Sequence, residues 1–233
     1  MSMPGGPRPE PGATVAPSHL ALMDQVYRHQ RHFYDLTRRH YLFGRDRLIA
    51  GMAAKPGQRI LEVGCGTARN LIKIAKRYPG TELWGVDASG EMLRTAGQSI
   101  AAAALRDRIN LCHGLAEDIP ELLSAERPFD HVVFSYSLSM ISDWQGALQA
   151  SSRVARPEAR VHLVDFADFR GLWPWAAGSL RLWLHLFHVT PRSELVLKLQ
   201  QLANGRQDCA LDLLPGRYAF VFNASIAAIA DLG

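Results

Sequence analysis

The segment from Ile60 to Leu71 reads Ile-Leu-Glu-Val-Gly-Cys-Gly-Thr-Ala-Arg-Asn-Leu: a short apolar run, two glycines one residue apart, then residues that open a helix. A strand that ends in a glycine turn and passes directly into a helix fits the carboxyl edge of an α/β sheet. There the bare backbone and the helix N-terminus make a floor for a nucleotide-like ligand. Spacing narrows the ligand. A dinucleotide fingerprint needs a third glycine at position 69, where this chain has Arg69, and no Gly-Lys-Ser/Thr follows to make a P-loop.

The chain downstream supplies the walls of such a pocket. Pro56-Gly57 turns into the first strand, Gln58 to Val63, and a helix is expected from Asn70 to Tyr78, ended by Pro79-Gly80. Glu82 to Val86 is the second strand, with Asp87 at its carboxyl end. Ser89 is placed to cap the next helix, and Glu91 lies in its first turn, where an acid suits the helix dipole. Further strands are read at Arg108 to Cys112, at Phe129 to Tyr136 and at Ala159 to Phe166, with a helix at Trp144 to Ala155 between the last two. Strands alternating with helices mean βαβ units and a parallel sheet. The rhythm then breaks. Leu172 to Val189 holds Trp173, Trp175 and Trp183 among leucines, and a helix is expected near Ser193 to Leu202. A last strand at Arg217 to Asn223 pairs antiparallel with a short one at Ala210 to Leu214.

Upstream, Leu20 to Ala50 has apolar residues at helical spacing and reads as two short helices that break near His40 to Gly44. From Arg28 to Arg47 there are six arginines against Asp35 and Asp46, a surplus as large as the net charge of +4 of the whole chain. An anionic surface such as a phospholipid leaflet suits that stretch, as does plain solvation of a helix face. The overall balance, 26 basic and 22 acidic residues, is too even to imply nucleic-acid binding. Cys65, Cys112 and Cys209 form no zinc-ligand pattern, and their odd number argues against a disulfide framework, so a reducing, cytoplasmic setting fits. Residues 1–17 are rich in Pro and Gly without an apolar signal core and read as a disordered tail. Residues 18–233 then form one domain: a helical lid (18–55), a ligand-binding core (56–168), an aromatic insertion (169–205) and terminal strands (206–233).

Glu62-x-Gly64-x-Gly66-Thr67 resembles motif I of the class I S-adenosylmethionine-dependent methyltransferases, with Ala68 in place of the usual third glycine. The resemblance implies a Rossmann-like fold, a seven-stranded mostly parallel sheet with helices on both faces, and S-adenosylmethionine as cofactor. It carries cofactor contacts over to Glu62, Gly64, Cys65, Gly66 and Asn70 at the turn, and to Asp87, Ala88 and Met92 after the second strand. Asp87, 21 residues beyond Gly66, is placed for the ribose hydroxyls. Gly114 to Pro120 resembles the adenine-binding segment, but Leu115 stands where the family has an aspartate, which leaves Ala116 and Glu117 as candidates. Ser135 and Tyr136 follow the fourth strand, where the family lines the methyl-transfer centre. Tyr34 and Arg45 extend the cofactor set onto the lid. No metal site is expected.

The stretch from Tyr27 to Asp46, with Val164-Asp165-Phe166 and Leu214-Pro-Gly-Arg-Tyr218, resembles the betaine-lipid N-methyltransferases, which methylate diacylglyceryl homoserine three times. That resemblance implies a lipid amine acceptor and peripheral attachment at the inner face of a membrane. Arg38, Tyr41, Tyr136 and Trp173 become candidate acceptor contacts, and Tyr34 and Tyr136 positioning groups, since aromatic faces stabilise the cationic product. Related alternatives are a methyltransferase for phosphatidylethanolamine or for a quinone precursor. A binding protein without catalysis is the alternative of another class. The sequence offers no general base: His162 falls inside a strand and reads as a core histidine. Leu172 to Val189, interrupted by Pro174, Gly178 and Arg181, is a poor membrane span and suits an interfacial helix, an acyl groove or core packing.

Overall fold

A computed structural model describes residues 42–187 and 189–232. The expected tail, most of the lid, and with it Tyr34, Arg38 and Tyr41, lie outside the described residues. The order of elements is α1 (Arg45–Gly51), β1 (Arg59–Val63), α2 (Arg69–Arg77), β2 (Glu82–Asp87), α3 (Gly90–Ala102), β3 (Ile109–His113), α4 (Ile119–Leu122), β4 (Phe129–Ser135), α5 (Trp144–Arg153), β5 (Ala155–Phe166), α6 (Pro174–His185), α7 (Ser193–Gly205), β6 (Ala210–Leu213) and β7 (Ala219–Ser225), with 3-10 turns at Pro215–Arg217 and Ile226–Leu232.

The seven strands form one sheet in the order β3-β2-β1-β4-β5-β7-β6. Only β7 is reversed, pairing antiparallel with both β5 and β6. The crossovers run outward on both sides from β1 and β4, so the strand order reverses between them, and a crevice opens beyond their carboxyl ends. β1 is buried along its whole length, as a central parallel strand must be. Its alternate residues feed two cores. Leu61 and Val63 pack with Val132, Phe134, Leu148 and Val196 on one face. Ile60 packs with Leu71, Ile74, Leu83 and Val133 on the other.

Elements match expectation where a local signal existed. Ser89 caps α3 by accepting from Met92 N at 3.3 Å. β5 starts at Ala155, four residues before the expected strand, because Phe129 and Ala155 pair through an irregularity in the β4 ladder. The short α4 and the turn at Ile226–Leu232 were not legible: α4 has one turn, opened by Pro120, and the other closes the core through Ile226, Ala228 and Ile229. His162 is a core histidine, as expected. It lies in a buried polar row with Gln58, His131 and Asn223, where His131 Nδ1 and His162 Nε2 share a hydrogen bond at 3.0 Å. This row is at the amino-terminal half of the sheet, away from the crevice.

Candidate active site

The glycine turn shapes the crevice. Gly64 has φ +72°, and a Cβ there would sit 2.5 Å from Ser137 Cβ, so both its conformation and its space require glycine. Gly66, at φ +53°, faces open space. Asp87 ties the turn to the end of β2: Oδ2 accepts from Gly66 N at 2.7 Å and Oδ1 from Ser89 N at 2.9 Å. Ser137 Oγ donates to Val63 O at 2.8 Å, and Asp165 accepts from Ser139 N at 2.9 Å, which fixes the segment after β4. Tyr136, the residue immediately after β4, adopts φ +56°. A strained non-glycine residue in a crevice wall is held there by its surroundings: its hydroxyl donates to Phe43 O at 2.6 Å and its ring meets Phe166 edge-on at 4.8 Å.

A cavity of about 220 Å³ is lined by residues named from the sequence: Gly64, Gly66, Asp87, Ala88, Met92, Ala116, Glu117 and Tyr136. Tyr136 is a buried part of its wall, with its hydroxyl engaged. Met140, Ile141 and Ser142 line the same cavity after β4 and were not named as site residues from the sequence. Leu115, which stands in the usual aspartate position, lines the same cavity.

A smaller recess adjoins it, lined among others by Arg45, Glu62, Cys65, Asn70, Met92 and Ser135. Here Glu62 is 1% exposed; Oε1 accepts from Asn70 Nδ2 at 2.8 Å, while Oε2 has no partner. Burial pushes the Glu62 carboxyl up to about 8, against the lowering effect of Asn70 and Arg45. Ser135 Oγ is likewise buried without a partner. Cys65 is buried, and its thiol is pushed well above its ordinary range by burial and by the neighbouring Asp87 and Glu62, which makes it a wall and not a nucleophile.

Beyond the recess lies an amphipathic groove of about 840 Å³. Its lining combines apolar Phe43, Leu172, Leu214 and Tyr218 with Arg45, Arg47, Arg69 and Lys73. Lys73 pairs with Asp46 at 2.6 Å and Arg47 pairs with Asp212, whereas Arg69 has no partner among the described residues. Leu42, Arg45 and Arg69 line both recess and groove. Phe43, Tyr218, Phe166 and Tyr136 form an edge-on aromatic chain from groove to cavity. Trp173 is not brought to this site; it is 75% exposed ahead of α6.

Comparison with known proteins assigns the core. Residues 60–158 match the family described as "Methyltransferase domain". This segment is a class I methyltransferase domain. The ubiquinone/menaquinone biosynthesis C-methyltransferase UbiE of Geotalea daltonii is 32% identical over 161 residues, covering 66% of this chain and 63% of that protein. The chain therefore spans slightly under two thirds of that relative's length. A demethylmenaquinone methyltransferase of Geobacillus sp. is 28% identical over 200 residues, covering 84% and 81%. The fold is shared with a SAM-dependent methyltransferase from Aquifex aeolicus, at TM-score 0.56 and 19% identity over 81% of this chain and 93% of that one.

S-adenosylmethionine is the cofactor of a domain of this kind, and the crevice fits it. Two buried polar atoms, Glu62 Oε2 and Ser135 Oγ, are left without partners in the recess, and Gly66 leaves bare backbone in front of the cavity.

Proposed function

We propose that this protein transfers a methyl group from S-adenosylmethionine to a ring carbon of a prenylated quinone precursor. The observation that carries the acceptor is the length of the match to the demethylmenaquinone methyltransferase. Its 200 aligned residues are about twice the segment 60–158, so the likeness extends beyond the cofactor core into the elements that border the groove. Diacylglyceryl homoserine, expected from the stretch Tyr27 to Asp46, becomes the second reading: the curated relatives that support an acceptor bear quinone names, and Tyr34, Arg38 and Tyr41 lie outside the described residues.

The residues divide the work as follows. The cofactor, when bound, supplies an electrophilic sulfonium methyl. Glu62 offers its unpaired oxygen to an ammonium, and Asp87, at the end of β2, offers its carboxylate to vicinal hydroxyls. Leu115, Met140 and Ile141 make an apolar slot for a flat ring. The groove receives the acceptor: its apolar lining residues suit a prenyl tail, and Arg69, shared with the recess, suits an oxygen anion on the ring head. Such a cation favours the ionised ring, whose carbon is the better nucleophile; the carbon–methyl bond would form as the sulfonium–methyl bond breaks, and the displaced ring proton would leave to solvent. Alignment of the two reactants then supplies most of the rate.

The test is an acceptor panel. The protein is incubated with methyl-labelled cofactor and a 2-polyprenyl-1,4-naphthohydroquinone, diacylglyceryl homoserine or phosphatidylethanolamine, and the lipids are resolved by mass. Label in the naphthohydroquinone supports the proposal. Label confined to the homoserine lipid moves the assignment to N-methylation, and label in none of them, with cofactor bound, favours a binding protein without catalysis.

A further inference from the structure

Helix α6 is apolar on two opposite faces. Ala177 and Leu184 are buried against the core at 5% and 1% exposure. On the other side, at 3.6 residues per turn, Trp175, Leu182 and Leu186 fall within about 40° of arc. They are 74%, 67% and 64% exposed, and Trp173, just ahead of the helix, is 75% exposed. Seven large apolar side chains are exposed among the described residues; these four are the majority, and Phe43 on the groove wall is another. Scattered apolar residues on a surface need no explanation, but a row on one helix face marks a contact.

The chemistry of the contact is readable. Positions 169–193 contain Arg170, Arg181, Arg192, His185 and His188 and no acidic residue. Asp168, just ahead of this stretch, is buried and paired with Arg217 and Arg170, so tryptophan rings and cations are what the segment presents, and they match the headgroup layer of a bilayer with anionic lipid. At twelve residues α6 is far too short to span, and no helix among the described residues is long and apolar enough to cross a membrane. The neighbouring residue, Leu172, is a wall of the groove.

We propose that α6 lies in the plane of an anionic bilayer surface and sets the groove mouth against the lipid, so that an amphiphilic acceptor enters from the membrane. The docking stands on the exposed face alone; the entry route rests on the acceptor reading above. The full chain is tested for cosedimentation with vesicles of phosphatidylcholine alone and of phosphatidylcholine with phosphatidylglycerol. Expected are binding to the anionic vesicles, weakening as salt rises, and a loss of about tenfold in Trp173→Ser/Trp175→Ser. Leu182→Glu, with a carboxylate amid the face, extends the loss. Because these side chains are exposed, thermal midpoint and cofactor affinity stay at their original values. Equal sedimentation of wild type and variants, or none by wild type, overturns the proposal. So does a wild-type dimer that the variants split without any vesicle binding, which would give the face to a second copy. Failure of the acceptor panel alongside retained vesicle binding overturns the substrate reading and leaves the docking in place.

Discussion

Replacing Glu62 by glutamine should stabilise the free protein at neutral pH while weakening its ligand. The carboxyl is buried, one oxygen is unpaired, and its pKa rises from 4.5 to about 8. A folded-state pKa above the unfolded one means that the fold holds a proton the unfolded chain releases. The stability this group allows is complete below about pH 4.5 and falls as pH rises towards 8. At 1.36 kcal/mol per unit, the loss between pH 4.5 and 7 is about 3 kcal/mol. Glutamine keeps an acceptor for Asn70 and cannot ionise, so Glu62→Gln escapes that loss. For a domain of this size the gain at pH 7 is roughly 5–10 °C in thermal midpoint. Urea unfolding at pH 5 and pH 8 checks it: wild type loses stability across the interval and the variant loses much less. The same variant should bind S-adenosylmethionine more weakly by calorimetry, since the carboxyl can give up its proton beside an ammonium and become an anion, which the amide cannot. Equal stability and equal pH slope in the two proteins would show that Glu62 is already ionised in the fold, and would refute the reasoning.

Three further outcomes are expected. Gly64→Ala drives a methyl against Ser137 at φ +72° and should abolish cofactor binding in calorimetry, with a stability loss on the order of 1–3 kcal/mol. Asp87→Ala removes the acceptor of two backbone N–H groups as well as the proposed ribose contact, so it should cost on the order of 1–3 kcal/mol in chemical denaturation and lower cofactor affinity at least tenfold; unchanged affinity refutes the contact. His162 is buried beside His131, and burial holds it neutral, with its pKa lowered to about 3; His131 is lowered in the same direction. The unfolded chain takes up protons first, so stability present above pH 6.5 should drain away as pH falls towards 3, and His162→Gln should flatten that slope in an acid titration.

The sheet was legible because each parallel strand announces itself by a continuous apolar run and ends at a turn signal. Val63-Gly64, Asp87 with Ser89, and the antiparallel pair at β6 and β7 all stood where spacing put them. The glycine-turn side of the crevice was legible for the same reason, since its residues sit at strand ends. Met140, Ile141 and Ser142 were not: they follow no spacing rule, and their segment is fixed by Asp165 reaching from β5 to Ser139 N. Tyr136 was found, but its anchoring was not, because the hydrogen bond to Phe43 O is made across 93 residues of chain. Trp173 and Trp175 were noticed for their composition, whereas only the fold shows that α6 turns them outward and Trp183 inward.

The most direct test of methyl transfer to carbon uses S-adenosylmethionine with a deuterated methyl group and a 2-polyprenyl-1,4-naphthohydroquinone. After reaction the product is fragmented by mass spectrometry to locate the label. The account predicts one deuterated methyl on the quinone ring carbon, absent with Gly64→Ala. A label on oxygen, on a lipid nitrogen in a competing acceptor, or nowhere while calorimetry shows the cofactor bound, would contradict it.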